Sequence, residues 1–566
     1  MITQPIANIA EIFARKFVNN IILSPGSRCA PLTLSFVRHP EIEVKTISDE
    51  RSAAFIALGI AQQIKNPVGL VCTSGSSAYN YAPAVAEAYF QQVPLLILTA
   101  DRPPEWIDQQ DGQTIRQFDL YHNHIKKSYE LPVSFDHKDA VWHSERIISE
   151  AINLSKAFPP GPVHINVPLR EPLYPEANEE INYSKGVKTI EEINARFALA
   201  DPDKQDIIQK LSKYNKILVV AGQASKDDQL LDLINSLIDK LNFPLVAELI
   251  SNLHPLKNTI IFHDLILGRE SGALSDLQPD LLITFGKSVL SKNLKKFLRK
   301  YKPEEHWHVQ EAGQVADVFQ SLTKVIRVPP FYFFSEIVKK AEFQILSSYA
   351  DLWHSKNQEA ESYLKSFFKN DNFGEFETVK LIMNNITECS LHFANSMAVR
   401  YGNFIGLPSG KKMIEIFANR GTSGIDGSNS TAVGSCFASK KLTVLITGDM
   451  AFFYDRNAFW HNYSYPELRI VVLNNHAGGI FRIIDSPAKL PELEEFFETY
   501  QPLTAKSTAE EFKMDYYFCQ DKESLEAHLP NFFRMDGKVK ILEVQSLSNK
   551  NHQIFNAFKN NFNRNS

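Results

Sequence analysis

The sequence has few cysteines, no excess of positive charge and no long apolar run. Its five cysteines among 566 residues are far apart and form no C-x-x-C pair, so we expect neither a zinc site nor a disulfide framework. With 60 basic and 65 acidic residues the net charge is −5, which gives no support for nucleic-acid binding. No stretch reaches the roughly 18 apolar residues of a membrane-spanning helix. These features favour a cytoplasmic protein with reduced cysteines and no integral membrane segment.

The chain also lacks the G-x-x-x-x-G-K-[ST] loop that holds phosphates in many nucleotide-binding proteins. Its first 17 residues do not resemble a signal peptide, because charges interrupt the apolar residues and these recur at helical spacing. That spacing predicts an N-terminal helix.

Short apolar runs that end in polar turns alternate with helical patterns along most of the chain. This alternation predicts an α/β fold with three domains, each having a central, mostly parallel sheet flanked by helices. We place the domains at residues 1–180, 195–340 and 365–566, with a polar linker near 168–203 and a helical connector near 325–375. Ligands of such sheets bind at the carboxyl ends of the strands.

Two of these strand ends carry oxygen ligands. Gly448-Asp449 and Asn474-Asn475 each follow a predicted strand. Mg²⁺ prefers oxygen ligands and commonly shares them with a diphosphate, so the pair predicts a metal–diphosphate site. The alternative is two ordinary turns without a ligand.

A Gly-Asp pair followed about 25 residues later by Asn-Asn resembles the metal-binding motif of the thiamine-diphosphate-dependent enzymes. The resemblance implies that Gly448, Asp449 and Asn475 bind thiamine diphosphate. It also implies that Asp449, Asn475 and the carbonyl of Ala477 hold Mg²⁺ or Mn²⁺. The family more often has glycine at the last position, but a backbone ligand does not depend on the side chain.

Three further residues gain a role from the same resemblance. Glu50, at a strand end before a helix, matches the carboxylate that contacts the aminopyrimidine ring and activates the cofactor; the alternative is a surface or helix-capping acid. Gln113 matches a catalytic residue near the reacting intermediate. Ile425 matches the apolar residue that holds the cofactor bent, although it could equally be an ordinary core isoleucine.

Longer strings resemble one branch of the family, the menaquinone-pathway synthases that make 2-succinyl-5-enolpyruvyl-6-hydroxy-3-cyclohexene-1-carboxylate (SEPHCHC). They are Ser24–Arg28, Thr99–Pro104, Asn395-Ser396 with Arg400, Asn419–Gly427 and Gly478–Phe481. The resemblance extends over about residues 20–545 and is densest in the first and third domains. It implies decarboxylation of 2-oxoglutarate and addition of the succinyl carbanion equivalent to isochorismate, with release of CO₂.

Both implied substrates are dicarboxylates, and arginine binds carboxylates through two parallel hydrogen bonds. The resemblance implies that nine residues contact the substrates: Ser27, Arg28, Arg102, Lys292, Ser396, Arg400, Arg420, Ile480 and Phe481. Any single arginine could instead form a surface ion pair. The family commonly has arginine after the lysine, where this chain has Asn293.

The resemblance further implies a homodimer or homotetramer with the active site at the subunit interface, so that Glu50 acts on cofactor held by the other chain. Two other functions remain open from the sequence. One is another thiamine-diphosphate-dependent 2-oxo acid decarboxylase or carboligase. The other is a catalytically inactive metabolite sensor with the same fold.

Overall fold

A computed structural model describes residues 4–176, 180–195, 197–269, 272–340, 347–369, 373–407, 410–484 and 487–564. These residues form three six-stranded sheets. Every strand pairing within the sheets is parallel, and helices accompany each sheet. The predicted fold class is therefore confirmed.

The first sheet has the strand order β2-β1-β3-β4-β6-β5. Its strands are β1 (Asn20–Leu23), β2 (Glu43–Thr46), β3 (Val68–Cys72), β4 (Leu95–Asp101), β5 (Ser128–Glu130) and β6 (Val163–Pro168). Its helices are α1 (Gln4–Arg15), α2 (Ala30–Val37), α3 (Glu50–Ile64), α4 (Ser76–Asn80), α5 (Ala82–Gln91) and α6 (Lys138–Lys156).

The middle sheet has a different order, β12-β11-β10-β7-β8-β9. Its strands are β7 (Ile217–Ala221), β8 (Leu245–Ala247), β9 (Thr259–Ile260), β10 (Leu281–Phe285), β11 (Glu305–Val309) and β12 (Lys324–Ile326). The helices of this region are α7 (Asp201–Leu211), α8 (Asp228–Leu241), α9 (His263–Ile266), α10 (Lys292–Lys300), α11 (Pro330–Lys340) and α12 (Ser347–Phe367).

The third sheet has the order β14-β13-β15-β16-β18-β17. Its strands are β13 (Glu388–Phe393), β14 (Met413–Ala418), β15 (Thr443–Gly448), β16 (Leu468–Asn474), β17 (Asp515–Cys519) and β18 (Lys540–Gln545). Its helices are α13 (Glu375–Asn385), α14 (Met397–Ile405), α15 (Ser428–Ser439), α16 (Asp449–Tyr454), α17 (Ala505–Glu511), α18 (Lys522–Phe533) and α19 (Ser548–Arg564).

Thirteen of the eighteen described strands coincide within two residues with apolar runs of the sequence, because continuous apolar runs are typical of parallel strands covered on both faces. The prediction missed five strands: β5, β9, β12, β13 and β17. The most consequential is β13, which is central to its sheet. Its polar residues Ser390 and His392 are buried (4% and 3% exposed) and interrupt the apolar run that would have marked a strand.

The segment predicted as a linker is packed against the first sheet. Its described residues between β6 and α7 contain no helix or strand, in agreement with the prediction. However, Leu173 and Val187 are buried in the core around β1 and β6. Arg15 also donates a hydrogen bond to the Val187 carbonyl (3.0 Å), which ties the segment to α1.

Helices α3 and α15 join the first and third regions through a close backbone contact. A Cβ atom on Gly59 would lie 2.1 Å from the Thr431 carbonyl oxygen, and one on Gly434 would lie 2.1 Å from that of Ile56. Only glycine allows helices to approach so closely. One apolar core therefore continues from α3 to α15, which fixes the two sheets relative to each other.

Two expectations from composition can be compared with the structure. All five cysteines are free and buried, as expected for reduced thiols. Among the described helices, none combines the length and the apolar character needed to cross a bilayer.

Candidate active site

Asp449 lies at the carboxyl end of β15, where it begins α16. Its side chain is 2% exposed, and its Oδ2 accepts a hydrogen bond from Gln501 Nε2 (2.7 Å). Burial raises the pKa of Asp449 to about 6 despite that hydrogen bond. Because this hydrogen bond compensates little for the burial of the carboxylate, Asp449 is suited to binding a cation.

Asn475 and Ala477 occupy the turn after the neighbouring strand β16. The Asn475 oxygen Oδ1 accepts from the Ala477 backbone N–H (2.9 Å). His476, between them, is held by Gln501 and Gln545 through its two ring nitrogens. The turn therefore offers an amide oxygen and a backbone carbonyl, while the imidazole makes contacts elsewhere.

Two polar residues that the sequence analysis did not identify support this site. Glu375 accepts a hydrogen bond from Asn475 Nδ2 (2.5 Å), and Gln501 binds both Asp449 and Asn474. They lie 100 and 52 residues away from their partners along the chain. Neither belongs to a recognisable motif, so no local sequence signal could have found them.

A cavity of about 560 Å³ lies beside this site, between the middle and third regions. Lys292 from α10, Arg400 from α14 and Ile480 from the turn after β16 line it, so three of the predicted substrate residues come together. Asn293 lines it too, but its amide donates to the Asp264 carbonyl (2.8 Å). Asn293 thus supplies no charge at the position where the resemblance leads us to expect arginine.

Arg400 and Arg420 form a half-buried cationic pair near the end of β13. Burial, and then the neighbouring Arg420, lowers the pKa of Arg400. Arg400 donates to the carbonyl of Ser396 (2.5 Å), and Arg420 donates to Asn395 Oδ1 (2.8 Å). This pair is the strongest candidate for an anion site in the third region.

The loop after β14, which carries Arg420 and Ile425, is held from two sides. Asn395 Nδ2 donates to the Gly424 carbonyl (2.6 Å). Glu87 from α5 accepts from the backbone N–H groups of Gly421 and Thr422 (2.7 and 2.6 Å). Ile425 is half-buried. The first region therefore shapes a binding loop of the third.

Phe481 follows Ile480 in the turn after β16. Its ring centroid lies 5.7 Å from that of Phe497, which holds the turn against the following segment. Ile480 faces the cavity while Phe481 packs behind it.

Glu50 is the first residue of α3, at the carboxyl end of β2. Asp49, not Glu50, caps the helix by accepting from the Ser52 backbone N–H (3.1 Å). The half-buried Glu50 carboxylate accepts from Ser77 Oγ (2.6 Å) and Asn80 Nδ2 (3.3 Å). The helix-capping alternative for Glu50 is therefore wrong, and its carboxylate is oriented by two side chains.

Arg28 and Arg102 form a second cationic pair in the first region. Burial, and then the charge of Arg102, lowers the pKa of Arg28. Each arginine also has an acidic partner: Glu171 lies 3.3 Å from Arg28, and Asp111 lies 3.0 Å from Arg102. The surface ion-pair alternative holds in part, since Glu171 is 71% exposed.

Ser27 and Gln113 lie on turns of the same region. Ser27 is exposed beside Arg28. Gln113 has a positive φ of 55°, and its backbone lies 3.2 Å from the position of a Cβ on Gly75. Gly75 in turn has φ 84°, so the close approach of these two turns requires glycine there.

Comparison with known proteins identifies the family of the chain. Residues 7–120 match the thiamine pyrophosphate enzyme N-terminal TPP binding domain, and residues 196–392 match the middle domain of thiamine pyrophosphate enzymes. The 2-succinyl-5-enolpyruvyl-6-hydroxy-3-cyclohexene-1-carboxylate synthase of Cytophaga hutchinsonii is 44% identical over 98% of each chain. The chain belongs to this synthase family.

More distant members agree. The synthases of Flavobacterium psychrophilum and Porphyromonas gingivalis are 37% and 36% identical, and the alignments cover 98% and 97% of this chain and 98% and 96% of theirs. The protein is thus a thiamine-diphosphate-dependent enzyme of the transferase class that uses a divalent metal ion.

The residues present fit that cofactor. One carboxylate, one amide oxygen and one carbonyl form an all-oxygen set, which suits Mg²⁺ when a diphosphate supplies further ligands. Within the described ranges no group of three or more His, Cys, Asp or Glu side chains could hold a metal ion. Glu50 accepts hydrogen bonds from Ser77 and Asn80, whereas Asp449 accepts one from Gln501, so these partners are not shared between the two candidate groups.

Proposed function

We propose that the protein decarboxylates 2-oxoglutarate and adds the succinyl carbanion equivalent to isochorismate, giving SEPHCHC and CO₂ in menaquinone biosynthesis. The observation that carries this proposal is the presence of two arginine pairs, Arg28 with Arg102 and Arg400 with Arg420. Two dicarboxylate substrates need several cations, whereas pyruvate would need one. The name shared by the related synthases supports the same reaction.

We assign the cofactor site to the third region. Asp449, Asn475 and the Ala477 carbonyl would hold Mg²⁺ or Mn²⁺. The space beside Gly448 is open, since a Cβ there would contact nothing, and the cofactor would approach the backbone at this position. Ile425 would support the organic part of the cofactor. When bound, thiamine diphosphate supplies an electron sink for the carbon that loses CO₂.

Glu50 and Gln113 are the proposed catalytic residues. The Glu50 carboxylate, oriented by Ser77 and Asn80, would accept a hydrogen bond from the aminopyrimidine ring and hold the proton that activation requires. The backbone of Gln113 lies close to the Gly75 turn, and its exposed side-chain amide would donate to a substrate oxygen.

Substrate carboxylates would bind the arginines, with Ser27, Ser396 and Lys292 adding hydrogen bonds. The Nε atoms of Arg102 and Arg420 are buried and have no hydrogen-bond partner among the described residues. Unpartnered buried donors are costly unless a ligand satisfies them. Ile480 and Phe481 would form the apolar wall against the isochorismate ring.

We further propose that the active site forms between subunits of a homodimer or homotetramer. The family resemblance supports this proposal, and Glu50 and Asp449 each have their own hydrogen-bond partners: Ser77 and Asn80 for Glu50, and Gln501 for Asp449. We retain the domain division 1–180, 195–340 and 365–566, and a cytoplasmic location is supported by the five free, buried thiols.

The test is to supply thiamine diphosphate and Mg²⁺ and to compare CO₂ release from 2-oxoglutarate and from pyruvate. We expect turnover of 2-oxoglutarate, and a product with the mass of SEPHCHC when isochorismate is added. Preference for pyruvate would indicate another decarboxylase or carboligase. No turnover of any 2-oxo acid by cofactor-loaded protein would indicate a sensor.

A further inference from the structure

Glu375 is a buried carboxylate for which the proposed reaction has no role. It begins α13 and is 3% exposed. One carboxylate oxygen accepts from Asn475 Nδ2 (2.5 Å). Burying a carboxylate is costly unless hydrogen bonds compensate, and this compensating bond comes from a residue of the site.

The backbone of Glu375 is fixed as firmly as its side chain. Its N–H donates to Asn551 Oδ1 on α19 (3.1 Å), and Asn551 Nδ2 donates to Ser546 Oγ (2.8 Å). A Cβ on the preceding Gly374 would lie 2.6 Å from Asn551 Oδ1. The position of the carboxylate is therefore set by α19 and by the end of β18.

A fixed carboxylate determines which way an amide points. The amide end of Asn475 that faces Glu375 is its NH₂ group, whose Nδ2 donates to a carboxylate oxygen. The Oδ1 atom then faces the opposite side, toward the Ala477 N–H. A rotated amide would set two oxygens against each other and would offer nitrogen, a poor ligand for Mg²⁺.

We propose that Glu375 is a positioning residue that orients Asn475 so that its amide oxygen is presented to the metal ion. The inference rests on the proposed role of Asn475 as a metal ligand. It does not depend on which 2-oxo acid is the substrate. Partners of this kind behind a metal ligand typically contribute about 10- to 100-fold to metal affinity.

The test measures metal binding directly. Metal-free protein with saturating thiamine diphosphate is titrated with Mn²⁺, and free Mn²⁺ is followed by electron paramagnetic resonance. Glu375→Leu removes the acceptor and should weaken Mn²⁺ binding about 10- to 100-fold. Glu375→Gln keeps an acceptor oxygen and should restore affinity to within about threefold of wild type.

The matched control is Glu377→Leu. Glu377 is on the same helix, is 2% exposed and pairs with Lys522 at 2.8 Å, so its loss should destabilise the fold without changing Mn²⁺ affinity. Thermal unfolding of the metal-free variants measures that destabilisation separately. Equal Mn²⁺ affinities for Glu375→Leu and Glu377→Leu would overturn the proposal.

A double-mutant cycle tests whether Glu375 acts through Asn475. If it does, adding Glu375→Leu to Asn475→Ala should weaken Mn²⁺ binding no further. Full additivity of the two losses would contradict the proposed orientation. Unchanged Mn²⁺ binding by Asn475→Ala alone would show that Asn475 is not a metal ligand. That result would contradict the proposed cofactor site, and it differs from the result that would contradict only the role of Glu375.

Discussion

The first and third sheets have the same strand order, yet their strand ends carry different chemistry. Counted within each sheet, both orders are 2-1-3-4-6-5, whereas the middle sheet differs. Glu50 follows the second strand of the first sheet, and Arg420 follows the second strand of the third. Arg102 follows the fourth strand of the first sheet, and Asn475 follows the fourth strand of the third. Topology decides which loops meet, and residue identity decides which part of a ligand each sheet can bind.

The two sheets also differ in how completely their ligand groups are enclosed. Asp449 is 2% exposed and lies among polar partners from its own region. Glu50 is half-buried and has two partners. The proposed ligand group of the third sheet is thus more enclosed than that of the first.

The largest expected effect tests the third sheet. Asp449→Ala should remove metal-dependent binding of thiamine diphosphate, with a loss of affinity above about 100-fold, because removing even an outer partner of a ligand costs up to about that much. Isothermal titration of thiamine diphosphate with and without Mg²⁺ measures it.

Asp455→Asn is the control for Asp449→Ala. Asp455 is also buried and near the same helix, but it accepts from the backbone and hydroxyl of Ser430 (2.7 Å each). Its variant should be less stable and should still bind cofactor. Wild-type affinity in Asp449→Ala would exclude Asp449 from the site.

The next effect tests the first sheet. Glu50→Gln should bind cofactor and Mg²⁺ normally but lose activity by about 10²- to 10⁴-fold, the usual contribution of general acid–base catalysis. Exchange of the thiazolium carbon proton for deuterium, followed by quenched-flow NMR, should slow by a similar factor.

Asp49→Asn provides the comparison for Glu50→Gln. Asparagine caps helices about as well as aspartate, so this variant should keep the helix cap and the exchange rate, while the loss of the acceptor for Asn457 Nδ2 should lower its stability. An exchange rate in Glu50→Gln as fast as in Asp49→Asn would refute the catalytic role of Glu50.

The smallest effect concerns how the two sheets are joined. Gly434→Ala places a methyl group against the Ile56 carbonyl and should lower the free energy of unfolding by about 1–3 kcal/mol, as overpacking usually does. Urea denaturation measures the loss. Gly410→Ala is the control, since a Cβ there would contact nothing. Equal free energies of unfolding for Gly434→Ala and Gly410→Ala would mean that α3 and α15 can move apart without loss of stability.

The sequence predicted those parts of the site that are encoded locally. Asp449 and Asn475 could be found because each follows an apolar strand, and Glu50 because it lies between a strand and a helix. Glu375, Gln501 and Glu87 could not, since their partners are far away along the chain. Strand β13 was missed because its buried polar side chains hide the apolar pattern. Such tertiary contacts leave no periodic signal in a single sequence.

The central claim is that Glu50 of one subunit completes the site that contains Asp449 of another. Glu50→Gln and Asp449→Ala chains carrying different affinity tags can be co-expressed, and the mixed dimer isolated by both tags. Each dimer should then have one doubly altered site and one intact site, and we expect about half the wild-type activity per dimer, although each variant alone is inactive. A mixed dimer no more active than either variant would contradict the claim, because both sites would then lie within single chains.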